Sequence, residues 1–234
     1  IQEVLGKKRH LDAVFLTHSH YDHMGALSEV KRVWPEAVVY GSSYAKYTLN
    51  RKSTFKGIAH MSDVAAREYT GENLAAPLDM SRMQVEQILN DGETVSFGDA
   101  CIRGLETPGH TNCCMSFYLE KEKIMILSES TGMVRGPKYI TTCVLKSFEQ
   151  AKKSVERCRQ FQTEHYVFPH YGIDTCTSGR DSISGCHKRH GRKGADGYWP
   201  VSERVCRQRK FCSTIWKNTG NNWTVMTCRM RHFP

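Results

Sequence analysis

Between His18 and His23 the chain carries three imidazoles and one carboxylate, in the run Thr17-His18-Ser19-His20-Tyr21-Asp22-His23. Neutral imidazole and carboxylate are the usual donors for zinc and related divalent ions. The run follows directly on the apolar segment Leu11–Leu16, which has the length of a buried strand. In an extended chain His18 and His20 point to the same side, because strand side chains alternate with a period of two. Asp22 stands where a helix would begin, a position that favours a short acidic residue as cap. Two sets of donors can thus leave one short loop in different directions. A solvated polar loop is the natural reading for a single histidine, but not for this cluster at a strand end.

The elements that would position the cluster read as alternating strand and helix. Met24, Leu27, Val30 and Val33 fall at helical spacing and predict one helix from Asp22 to the Trp34-Pro35 step. Ala37–Tyr40 reads as a second buried strand, and residues 43–50 as a short helix. Residues 51–85 hold Gly57, Gly71, Pro77, Met61, Met80 and Met83 with little periodicity. They predict a long excursion with one short helix, of a length that often serves as a lid. Strand-like segments follow at Val85–Leu89, Glu93–Phe97, Cys101–Leu105, Cys114–Leu119 and Lys123–Leu127, with turn chemistry at Asn90-Asp91-Gly92 and Gly98-Asp99. Val144, Phe148, Ala151, Val155, Cys158 and Phe161 share one face of an amphipathic helix. The strand His165–Phe168 comes next, and residues 2–9 read as the end of an exposed helix. The pattern is α/β.

Four segments in order carry a resemblance. Thr17–Leu27, with His18, His20, Asp22 and His23, resembles the HxHxDH signature of the metallo-β-lactamase-fold hydrolase superfamily. Thr107-Pro108-Gly109-His110-Thr111 is similar to the element that contributes that family's third histidine. Ile126–Ser130 occupies the place of its strand-end acidic residue, and Phe168–Gly172 resembles its last histidine element. The resemblance implies an αβ/βα sandwich and two metal sites. His18, His20 and His110 would hold one ion; Asp22, His23 and His170 would hold the other. Where the family bridges the ions with Asp, this chain has Glu129, longer by one methylene. The implied cofactors are two divalent ions, zinc first, with iron or manganese as alternatives. The implied reaction is hydrolysis of a small ester, thioester, lactone or amide by metal-activated water, with Asp22 also orienting the nucleophile or accepting its proton. A nuclease or phosphodiesterase on the same fold, and a metal-binding protein without turnover, are the alternatives. The family begins with several strands before HxHxDH; the resemblance therefore implies that the first sheet is incomplete at the N-terminus, with an open edge that a partner or a second copy could cover.

Charge and cysteine divide the 234 residues in two. Residues 1–174 hold 21 Lys and Arg against 21 Asp and Glu, whereas residues 175–234 hold 12 against 3 and so carry the whole net charge of +9. Five of the ten Cys and three of the four Trp lie in that last quarter. The expected organisation is a hydrolase domain over 1–174 and a basic, Cys- and Trp-rich tail over 175–234. The tail reads as a frame-shifted end, as a nucleic-acid-binding arm, or as a weak zinc module. No apolar run reaches the roughly 18–20 residues of a membrane helix. The opening residues lack an apolar core of the kind found in export signals, so reduced thiols and a cytoplasmic setting are expected. Cys113 and Cys114 read as small core residues; Tyr21, Arg103 and Arg135 are weaker candidates for substrate contact.

Overall fold

The computed structural model describes residues 10–73, 76–134, 140–141, 143–170, 172–174, 215–217 and 223–226. The segment 2–9, Arg135 and the arginine-rich stretches of the tail lie outside the described residues. The described residues fall into two compact units, one within Ile1–Leu89 and Ile215–Thr227, the other within Asn90–Thr214. This partition differs from the one at residue 174, which is a division of composition and charge.

The first unit is built on β1 (Ala13–Phe15), β2 (Val38–Gly41) and β3 (Gln87–Ile88). With β12 (Ile215–Lys217) and β13 (Trp223–Met226) they form one sheet in the order β12-β13-β1-β2-β3. All three residues of β1 are buried, as expected of a strand with parallel neighbours on both sides. Phe15 stacks on Tyr40 across the β1–β2 pairing at a centroid distance of 5.1 Å. On its other side β1 pairs in parallel with β13.

The helices of this unit depart from the sequence reading in two places. The single helix expected from Asp22 to Trp34 is two, α1 (Tyr21–Met24) and α2 (Leu27–Val33). They are separated at Gly25, where a Cβ would lie 2.6 Å from the Tyr21 carbonyl oxygen. After α3 (Ser43–Leu49) comes α4, nineteen residues from Lys52 to Thr70, in the region expected to be mostly loop. Only Ile58, Ser62 and Ala65 of α4 are buried, so its apolar stripe is narrow and mixed, and weak as a periodic signal. Gly71 ends it with a φ of 76° and donates its N–H to the Arg67 carbonyl at 2.9 Å.

The second unit is a six-stranded sheet in the order β11-β10-β7-β6-β5-β4. Its strands are β4 (Thr94–Phe97), β5 (Ala100–Glu106), β6 (Met115–Leu119), β7 (Ile124–Ile126), β10 (His165–Phe168) and β11 (Gly172–Asp174). A two-stranded ladder joins β8 (Met133–Val134) and β9 (Ile140–Thr141). Helix α5 (Phe148–Arg159) packs Val155 and Cys158 against Leu105, Tyr118, Met125 and Tyr166, with Phe161 at the margin. Burial pushes the Cys158 thiol up to about 12, the behaviour of a small core residue and not of a nucleophile. The strands β4 to β7 and β10 fall where sequence patterning places them.

Gly109 fixes the approach of the β5–β6 connection to α5. Its φ is 144°, its carbonyl accepts the N–H groups of Lys146 and Ser147, and a Cβ there would lie 2.6 Å from Ala151 Cα and Cβ. Gly109→Ala is expected to cost about 2–4 kcal/mol through backbone strain and overpacking. A urea unfolding midpoint that did not fall would show that the connection can move away from α5.

Candidate metal centre

The donors of the first unit lie on one short segment. β1 ends at Phe15, the chain bends at Thr17, is extended at His20, and enters α1 at Tyr21. His18 is fully buried, and its ring centroid lies 4.7 Å from that of His20 and 4.1 Å from that of His23. The donor atoms of His18 and His20 fall within 4.8 Å of each other. Asp22 stands in the first turn of α1, not at its cap, which is His20; its Oδ2 lies 3.7 Å from His23 Nε2. The short segment brings the rings of His18, His20 and His23 together, with Asp22 in the first turn of α1.

The donors of the second unit come from three connections that sheet topology delivers to one edge. β7 and β10 are parallel, with Ile126 opposite Val167, so the segments after them emerge at the same end. β6 runs antiparallel to β7, so the connection from β5 into β6 lies at that end as well. These three segments carry Glu129, His170 and His110. Glu129 is buried; its Oε2 lies 2.5 Å from His110 Nε2, and its Oε1 meets His170 Nε2. One carboxylate thus faces two imidazoles, one with each oxygen. His170 takes a φ of 68°, a left-handed turn that ends the β10 segment.

A hydroxyl network, not apparent from the sequence, holds this edge. Thr107 Oγ1 lies 3.0 Å from Ser116 Oγ and 2.9 Å from Ser128 Oγ, and the Ser128 N–H donates to Ser116 Oγ. The His110 N–H donates to Ser130 Oγ at 2.9 Å, and Ser154 Oγ donates to the Pro108 carbonyl at 2.7 Å. His110 Nδ1 lies 2.6 Å from the Cys143 carbonyl oxygen. Donation from Nδ1 leaves Nε2 as the coordinating nitrogen, the arrangement that metal-binding histidines commonly show. Cys113 and Cys114 are buried with their thiols 3.2 and 3.0 Å from Thr111 Oγ1. Arg103 pairs with Glu120, away from the donors named above.

The donor types fit divalent ions of the zinc, iron and manganese group: imidazole nitrogens and carboxylate oxygens, mostly buried, with a carbonyl orienting one ring. The comparison with known proteins agrees. The model of the metallo-beta-lactamase superfamily matches residues 2–170, and the chain belongs to that superfamily. It is 30% identical over 110 residues to Glyoxylase B2 of Dictyostelium discoideum, covering 47% of this chain and 32% of that one. It is 28% identical over 120 residues to a hydroxyacylglutathione hydrolase of Bartonella henselae, covering 51% and 34%. The matched stretch therefore spans about a third of the length of those relatives. Its fold is that of the archaeal superfamily protein ST1585 from Sulfolobus tokodaii, with a TM-score of 0.59 at 21% identity over 85% of this chain and 76% of that one. Among the described residues no helix is long and apolar enough to cross a membrane.

Burial alone would lower the His110 pKa, but a hydrogen bond with Cys143 and the Glu129 carboxylate outweigh it and raise the ring from 6.5 to about 11. In the metal-free protein His110 therefore holds its proton from below pH 6.5 to about pH 11, and an incoming ion must displace it. Zinc affinity measured by chelator competition should accordingly rise with pH, by up to about tenfold per unit from this proton between pH 7 and 8. Glu129→Gln removes the charge that holds the proton, and its slope should be shallower. Equal slopes in both proteins would mean that the His110–Glu129 pair does not set the proton.

Proposed function

We propose that the two donor sets belong to one dinuclear centre and that the protein hydrolyses a thioester. His18, His20 and His110 would hold one ion, Asp22, His23 and His170 the other, with Glu129 bridging. The observation that carries the reading is Glu129, whose two oxygens each face one of the last two histidines. That is the disposition a bridging carboxylate needs. When bound, the ions supply the Lewis acidity that makes water nucleophilic near neutral pH and offsets charge on the attacked carbonyl oxygen.

The chain's own residues then have defined tasks. Asp22, at the start of α1 and partly exposed, orients the water and takes its proton. The balance is one acyl thioester and one water giving a carboxylate, a thiol and a proton. The acyl–sulfur bond breaks as the carbon–oxygen bond forms. A thiol has a pKa of about 8.5 and leaves as thiolate near neutral pH, so no acid is required at the sulfur. This suits a constellation in which Asp22 is the proton acceptor and the imidazoles serve as ligands. The thioester class is supported by the names of the relatives at 28–30% identity, and a small-molecule substrate follows from it.

The test uses the full chain loaded with zinc, iron or manganese, with released thiol read from acyl thioesters and release of acid or alcohol from lactones and esters. Thioester cleavage that depends on bound metal is expected; cleavage of lactones or esters alone would overturn the substrate class. Glu129→Ala is expected to lose about one ion per chain by elemental analysis and on the order of 100-fold or more in rate. Unchanged metal content in that variant would show that Glu129 is a strand-end residue and not a ligand.

A further inference from the structure

The parallel pairing of β1 and β2 delivers two segments to the same edge of the first unit's sheet. After β1 comes the histidine segment; after β2 comes α3, which leads into α4. Helix α4 also packs against α1, where a Cβ on Gly25 would lie 3.2 Å from Ser62 Oγ. Ligands of open α/β sheets gather at the carboxyl ends of such strands.

The surface at this edge has an unusual composition for its surroundings. From Ala37 to Ser62 the chain carries four Lys and Arg and no Asp or Glu, although residues 1–174 as a whole are charge-balanced. Lys46 is committed to the Glu86 carbonyl. Arg51, Lys52 and Lys56 are exposed, and among the described residues none of them forms an ion pair with a carboxylate. One of these cations, Arg51, stands beside an aromatic pair. Tyr44 and Tyr47, one turn apart on α3, are 44% and 61% exposed, with ring centroids 6.1 Å apart. The Arg51 guanidinium lies 5.9 Å from the Tyr47 centroid. Large exposed rings near cations that no carboxylate neutralises suit a ligand that presents a flat base and phosphates together.

We propose that Tyr44, Tyr47, Arg51 and Lys52 form a docking surface for the nucleoside-diphosphate end of a nucleotide-bearing carrier thiol of the coenzyme A class, whose acyl thioester is the substrate. A base stacks on the tyrosine pair, and Arg51 and Lys52, with Lys56 one turn further along α4, face the phosphates. A tripeptide thiol such as glutathione offers carboxylates but no ring to stack. The proposal rests on the thioester reading, and its test separates the two.

Binding of free coenzyme A, which has no bond to hydrolyse, is measured calorimetrically on the full chain, alone and with glutathione or a 12-nucleotide single-stranded RNA as competitor. Coenzyme A is expected to bind and to resist competition by glutathione. Y47A and the R51E/K52E double variant should each weaken binding at least tenfold, whereas the exposed K121A control should not. In turnover by the unaltered protein, acyl-coenzyme A should show a KM at least tenfold below that of the matching acyl-pantetheine thioester, which lacks the nucleotide. Coenzyme A binding without hydrolysis of any thioester would support the surface and overturn the thioester reading. Hydrolysis with equal KM values, binding unchanged in R51E/K52E, or displacement of coenzyme A by RNA that binds more tightly would each overturn the surface.

Discussion

A carboxylate that is almost wholly buried demands compensation, because the desolvation of an ion costs several kcal/mol unless positive charge or hydrogen-bond donors replace the lost water. Glu129 meets that demand with an imidazole on each oxygen. This constraint shapes the second unit. The carboxylate must sit at the end of β7, so the turn that carries it is capped into place by hydroxyls, and His110 must arrive from the β5–β6 connection with its ring already oriented. The Cys143 carbonyl supplies the orientation, and Gly109 supplies an approach to α5 that no side chain would permit. Divalent ions satisfy the same demand as protons on the histidines, so metal and proton compete for one set of nitrogens.

The first unit solves a simpler problem by local means. His18, His20, Asp22 and His23 are brought together by a change from extended chain to helix over a few residues, with no long-range partner needed to set their order. That is why this half was legible from spacing alone. Glu129 was legible only through the ordered resemblance, since a glutamate after an apolar strand has no distinctive local pattern. The network of Thr107, Ser116 and Ser128 joins three connections distant in sequence, and no local pattern encodes such a meeting.

The strands were well marked because burial on a pleated sheet selects apolar and β-branched residues at short range. Helix α4 was not, for the opposite reason. Its buried face amounts to Ile58, Ser62 and Ala65, while Gly57 interrupts propensity and the exposed Met61, Val64 and Tyr69 blur the polar side. The helix is held by its packing on α1 and α3 and by its glycine terminus, so tertiary context outweighs periodicity.

The pairing of β1 with β13 has a consequence for the order in which the chain can fold. Val14 lies opposite Val225, so the ladder joins residues far apart in the chain. Closing so long a loop carries an entropic penalty that grows with the logarithm of its length, and contacts of this kind form late. During synthesis β1 and β2 emerge well before β13, the partner on the far side of β1. Until then β1 presents an unpaired backbone edge flanked by apolar side chains, the kind of surface on which nascent chains associate wrongly and chaperones act. Emergence of β13, rather than formation of the histidine segment, would then mark the moment at which this sheet becomes safe from misassembly.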